Sequence, residues 1–296
     1  MIGKAWARSA AGTGHASGRP RSHFLRTFTV WLGALALQGL AGCAHSPTTA
    51  FFYGTPMPTD ALARFDHVIV EADNVKDIAP LRTHGAIVFA YLSVGEAEGW
   101  RASTQALPPE LFLGAHSAWN SRIADLAHPE WKRYLLEQRM TMLWNAGYRA
   151  FFLDTLDSYK RVVPEGRARQ RQSAALVELV RSMHGRFPGV KLLLNRGFDE
   201  LPQIASLSVG LVAESLFRTW NAEKGIFGEV GETDRAWLLE KLQQAKSRYA
   251  LPVVVIDYVA PHDQALARQT ARQIHALGFM PWVATPALDV LALESN

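Results

Sequence analysis

Short, continuously apolar runs alternate with longer stretches of helical periodicity along most of the chain. The runs lie at 51–54, 67–72, 86–94, 149–154, 190–195, 210–215, 252–258 and 280–284. VVVI at 253–256 and LLL at 192–194 lack polar alternate positions, as strands buried on both faces require. Amphipathic stretches fall between them at 129–146, 167–187, 234–249 and 263–277. His128-Pro129 and Thr233-Asp234 read as helix starts, and Gly147, Gly189 and Gly278 follow helix ends. This alternation predicts βαβ units and a parallel sheet. Eight strands within residues 51–284 fit an α/β fold of the (β/α)8 TIM-barrel kind, typically about 250 residues long. An open doubly wound sheet would want a glycine-rich phosphate loop after its first strand, and FFYGTPMP at 51–58 is not one. Residues 96–127 form the longest non-periodic connection, expected at the C-terminal face where barrels bind substrate. No internal repeat or second domain is expected within 51–296.

Charge changes the picture at the N-terminus. The 296 residues carry a formal charge of +4, which points towards anionic partners. Lys4, Arg8, Arg19, Arg21 and Arg26 lie within residues 1–42, which contain no acid. An apolar run follows at 28–40 and ends in Leu40-Ala41-Gly42-Cys43. This order resembles a bacterial lipoprotein signal peptide, with Cys43 as the lipidated residue and 44–50 as a tether. Ala44 resembles the residue found after the cysteine in lipoproteins sorted to the outer membrane. The expected location is therefore the cell envelope, anchored in the outer membrane and facing the periplasm or the cell surface. Without 1–42 the chain holds 26 Lys/Arg against 27 Asp/Glu, a net charge of −1. Nucleic acid is thereby excluded as the expected partner. A single Cys allows neither an internal disulfide nor a cysteine metal cage.

Acids recur where the apolar runs end: Glu71, Glu96, Asp154, Glu214 and Asp257, with Asn195 and Arg196 closing the fifth run. A carboxylate in a run such as FFLD is unfavourable unless paired or functional. No GxSxG serine, HExxH or HxH pair is present, so neither cofactor nor metal is expected, and His67, His116 and His128 read as structural or capping residues. Acids without a metal set, beside aromatic residues, suit glycoside hydrolysis, which needs one carboxyl to protonate the leaving oxygen and another to meet the oxocarbenium-like centre. Tyr91, Trp100, Tyr159, Trp220, Tyr258 and Trp282 can offer flat faces to sugar rings. The basic run at 167–171 reads as a solvated helix face.

The blocks FAYLSVGEAE (89–98), GYRAFFLDTLDSY (147–159), LLLNRGFDEL (192–201) and VAESLF (212–217) resemble the endo-α-1,4-polygalactosaminidase group of glycoside hydrolases and the related hydrolase domain of the Pel polysaccharide system. The opening FFYG...LARFDHVIVEAD and the ending VIDYV...GFMPWVAT fit the Pel-type branch better. The resemblance spans about residues 51–286 and implies a barrel cleaving α-1,4-linked galactosamine or N-acetylgalactosamine polymers of an exopolysaccharide or biofilm matrix. It also implies that Asp154 and Glu214 are the functional acids, here assigned as nucleophile and acid/base. Asp157 is expected to orient substrate or to tune Asp154. Glu71, Glu96 and Asp257 are expected to bind sugar hydroxyls or ammonium groups, and Asn195-Arg196-Gly197 bears on subsite preference. Two other readings stay open: a non-catalytic polysaccharide-binding lipoprotein, and a hydrolase of another cell-surface glycan.

Overall fold

The structure, a computed structural model, describes residues 47–293. Residues 1–42, Cys43 and residues 44–46 of the expected tether lie outside them, and Thr49 and Ala50 belong to β1 rather than to a tether. All eight apolar runs form strands: β1 (Thr49–Phe52), β2 (His67–Val70), β3 (Ile87–Ser93), β4 (Ala150–Asp154), β5 (Lys191–Asn195), β6 (Gly210–Glu214), β7 (Val253–Tyr258) and β8 (Met280–Ala284). They pair in parallel in chain order from β1 to β8. A doubly wound sheet would reverse that order at a switch point. Here it never reverses, and the sheet curls until β8 reaches β1. Phe51 and Trp282 lie 6.1 Å apart, and the Tyr53 N–H donates to the Leu288 carbonyl at 2.7 Å. Among the described residues no ladder joins β8 to β1, so the barrel is nearly closed. Phe51, Phe152 and Trp282 fill its interior, the first two meeting edge-on at 5.5 Å.

Four long helices cover the sheet among the described residues, where periodicity places them: a helix at 129–145 (α1), Arg167–Arg186 (α2), Glu232–Tyr249 (α3) and Gln264–Ala276 (α4). His128 caps α1 by accepting the Glu130 N–H at 3.2 Å, and Asp263 caps α4 through the Leu266 N–H at 3.1 Å. The middle of α1, Tyr134–Met140, winds wider than an α-helix, with i→i+5 bonding. After β1, β2 and β5 the chain makes only short turns such as Thr59–Leu62 and Leu201–Ile204.

Two rim structures were not expected from the sequence. The connection at 96–127 holds a three-stranded antiparallel sheet of Glu96–Glu98, Phe112–His116 and Ser121–Ala124. Strands of three to five residues, separated by Pro108-Pro109, are too short to show a period of two. After β6, Arg218–Asn221 pairs with Ile226–Glu229 as a hairpin. No described helix is long and apolar enough to cross a membrane.

Candidate active site

Residues two apart on a strand share a face, and the face that lines the barrel opens at the C-terminal ends of the strands. There β3 presents Tyr91, β4 Asp154, β5 Asn195, β6 Glu214 and β7 Tyr258 to one cleft of about 390 Å3. The Asn195 Nδ2 donates to Asp154 Oδ1 and to Glu214 Oε1, at 2.7 Å each. An amide oxygen in that place would face two acceptors, so the orientation of the side chain follows from chemistry. The Tyr91 hydroxyl donates to Asp154 Oδ2 at 3.0 Å, and the Tyr258 hydroxyl to Glu214 Oε2 at 2.6 Å. The Thr155 N–H adds a third donor to Asp154 at 2.7 Å. Two oxygens that both lie 2.7 Å from one nitrogen are no more than about 5.4 Å apart.

The backbone turns left-handed directly after each of these three strand ends, at Thr155 (φ 61°), Arg196 (φ 58°) and Ser215 (φ 64°). Left-handed φ is uncommon outside glycine and is worst for a β-branched residue such as threonine. Thr155 is held there by its hydroxyl, which accepts the Gly95 N–H at 2.9 Å and pairs with Ser93 Oγ at 3.0 Å. Position 95 must be glycine, because a Cβ would fall 2.1 Å from the Thr155 carbonyl oxygen. Arg196 in turn donates to the Glu214 carbonyl at 3.0 Å.

Burial, and then the Glu214 carboxylate, push Asp154 up to about 7, against the pull of Thr155, Asn195 and Tyr91. The nearby Glu214 carboxylate thus opposes ionisation of Asp154 beyond what burial alone does. Burial also lifts the Tyr91 and Tyr258 phenols well above their usual value, so both remain donors.

The remaining expected site residues divide. Glu96, Asp157 and Arg196 line the cleft. Glu96 accepts Ser121 Oγ and Ser158 Oγ at 2.5 Å each and His116 Nδ1 at 3.2 Å, which brings His116 into the site wall. Asp157 makes no helix-capping bond. Glu71 borders the cleft, yet both its oxygens are taken by Arg101, at 2.7 and 3.2 Å, so it braces that guanidinium instead of meeting sugar.

Besides Glu71, three further expectations are corrected. Asp257 alternates with Tyr258 on β7 and faces away from the cleft. Fully buried, it accepts the N–H groups of Leu216, Phe217 and Arg218 at 2.7, 2.8 and 2.9 Å, and burial pushes it up to about 6. Trp282 packs inside the barrel, with Phe65 at 5.9 Å. Tyr159 lies beyond the strand in a tight turn and donates to the buried Glu200 at 2.9 Å. Among the stacking candidates, Trp220 pairs with Phe227 on the hairpin at 4.7 Å, whereas Trp100 does border the cleft.

Tyr53, Arg161 and Trp119 also line the cleft and were not foreseen. The i, i+2 spacing of Tyr53 from the interior Phe51 is the signal that could have found it. No described group of three or more His, Cys, Asp or Glu side chains could hold a metal ion.

Comparison with known proteins agrees with this architecture. The chain matches the model of glycoside-hydrolase family GH114 over residues 38–295. It is similar to the glycoside hydrolase domain of PelA from Pseudomonas aeruginosa, with 38% identity over 83% of this chain and 98% of that one, and a TM-score of 0.76. A glutamate-to-alanine variant of that domain gives 37% identity at the same coverage and TM-score. Aspergillus fumigatus Ega3, in complex with galactosamine, shares the fold at 15% identity, over 83% of this chain and 94% of that one, with a TM-score of 0.58. A search of curated proteins gives no match. A barrel with paired carboxylates at its C-terminal rim, matched along nearly its whole length, belongs to glycoside-hydrolase family GH114.

Proposed function

We propose that the protein cleaves α-1,4-linked galactosamine- or N-acetylgalactosamine-containing exopolysaccharide with retention of configuration, with Asp154 as nucleophile and Glu214 as acid/base. The observation that carries this reading is the Asn195 bridge. Retaining glycosidases hold their carboxyls about 5–5.5 Å apart, whereas inverting ones leave about 6.5–9.5 Å for a water. The bound of about 5.4 Å between the bridged oxygens favours the former. Three donors hold Asp154 in position to attack, and the acid step calls for a proton on Glu214 in the substrate complex. Glu214 then protonates the glycosidic oxygen as the C1–O bond breaks and Asp154 bonds to C1. In the second step Glu214 takes a proton from water, whose oxygen displaces Asp154.

The substrate class rests on the resemblance of the sequence blocks and on the charge of the cleft. Glu98, Asp154, Asp157 and Glu214 face it against Arg161 and Arg196, a balance that attracts the ammonium groups of a partly deacetylated polymer. Asp154→Asn and Glu214→Gln are each expected to lower turnover on a galactosamine polymer about 10³-fold. Product analysis by mass spectrometry across a polysaccharide panel reads this out, and full activity in either variant removes the assignment. The anchor at Cys43 and an outer-membrane location belong to the same proposal. Cys43→Ser is expected to move the protein from the membrane to the soluble fraction, and unchanged fractionation overturns that part.

A further inference from the structure

The small sheet after β3 ends in two tryptophans. Glu98 lies opposite Ser121 in its antiparallel ladder, and the Gly99 N–H donates to the Asn120 carbonyl at 2.9 Å, which carries the pairing one residue further. Trp100 follows the first strand of this sheet by two residues and Trp119 precedes the last by two. Both border the acidic cleft, and both are exposed, at 57% and 54%. A single exposed indole is unremarkable, but two lining one cleft offer apolar surface among acids.

The Trp100 ring is clamped, and the backbone that carries Trp119 is fixed. The Arg101 guanidinium lies over the Trp100 ring, 4.4 Å from its centroid. Arg101 is itself buried and gripped by Glu71, Asp73 and Glu98. This clamp covers one face of Trp100 and fixes its direction. Trp119 ends the tight turn Ser117–Trp119, which the Asn120 N–H closes on the Ser117 carbonyl at 3.2 Å. Gly99 permits the close approach of the two segments, since a Cβ there would fall 2.7 Å from the Asn120 carbonyl oxygen.

We propose that Trp100 and Trp119 form a sugar-binding subsite, outside the ring of Tyr91, Asp154, Asn195, Glu214 and Tyr258, that stacks on the apolar face of a hexosamine unit further along the polymer. The inference rests on reading the cleft as a glycosidase site. An aromatic platform fixed before binding loses little entropy when the sugar lands. Such a subsite favours long chains over short ones, because only a long chain reaches both the platform and the carboxylates.

The test compares the wild type with Trp100→Ala, Trp119→Ala and the double variant on two substrates: an α-1,4-linked galactosamine polymer and a short chromogenic galactosaminide. In the double variant the ratio of polymer to short-substrate kcat/KM is expected to fall about tenfold, through KM on the polymer, and Trp100→Phe with Trp119→Tyr to restore most of it. An unchanged ratio overturns the subsite, as does an equal loss on both substrates with a lowered Tm. If the wild type cleaves no galactosamine polymer, the functional reading fails, and the subsite is judged by polysaccharide binding to the Glu214→Gln protein. Affinity for any glycan that drops when both tryptophans are removed supports it. Glycan binding indifferent to them, or no glycan binding, overturns it.

Discussion

Asp154 sits where burial and a neighbouring carboxylate oppose its charge while three donors support it. Its folded value of about 7 lies above that of an unfolded aspartate, near 3.9. Between those values the folded state binds the proton that the unfolded chain has lost, so stability falls as pH rises through the window. Asp154→Asn removes that dependence. Its Tm relative to wild type should be higher at pH 8 than at pH 4, and a constant difference in thermal scans would count against the buried charge. As the nucleophile, Asp154 reacts as the carboxylate, so kcat/KM should rise as pH passes through about 7, and a profile flat across that range would count against the raised value. The left-handed step after Glu214 makes a separate prediction. Ser215→Gly relaxes φ 64°, whereas Ser215→Val forces a β-branched residue into it. The valine variant should lose about 2 kcal/mol relative to glycine in denaturant unfolding; equal stabilities would remove the strain argument. Asp154 and Glu214 were legible as the last residues of continuously apolar runs. The left-handed turns were not, because Thr155, Arg196 and Ser215 carry no glycine-like signal.

Strand alternation decides between Asp257 and Tyr258, and a shift of one residue reverses which of them meets the substrate. The sequence shows an acid near a strand end. The run 252–258 includes both Asp257 and Tyr258 but does not say which of them faces the barrel axis; in the structure Asp257 points at the loop after β6. Asp257→Ala leaves three N–H groups without their acceptor and should lower stability by about 3 kcal/mol. A substrate ligand would instead raise KM and leave Tm unmoved, so the two readings separate in one pair of measurements. Tyr159 shows a related limit: beyond Thr155 the chain leaves the strand, and period-two reasoning no longer says where a side chain points. The rim sheet was hidden because its short strands leave too few residues to express a pattern, and the placement of Trp119 beside Trp100 in the cleft lining was hidden with it.

The whole barrel was the most legible level. Eight buried strands and four amphipathic helices carry long, redundant signals, and chain-order pairing follows once each connection returns to the same end of the sheet. Charge is also a property of this scale. A near-neutral chain after residue 42, with acids gathered at one cleft, should bind a cationic polymer through a field that salt screens. KM for a partly deacetylated polymer should therefore rise as sodium chloride is raised from about 0.01 to about 0.5 M. A KM indifferent to salt would detach the cleft's charge from substrate choice. The most direct test of the central claim, that Asp154 and Glu214 act as a retaining pair, is the anomeric configuration of the first product, followed by proton NMR during cleavage of an α-linked galactosamine polymer. The α-anomer appearing first and then mutarotating is the expected result; the β-anomer appearing first would contradict it.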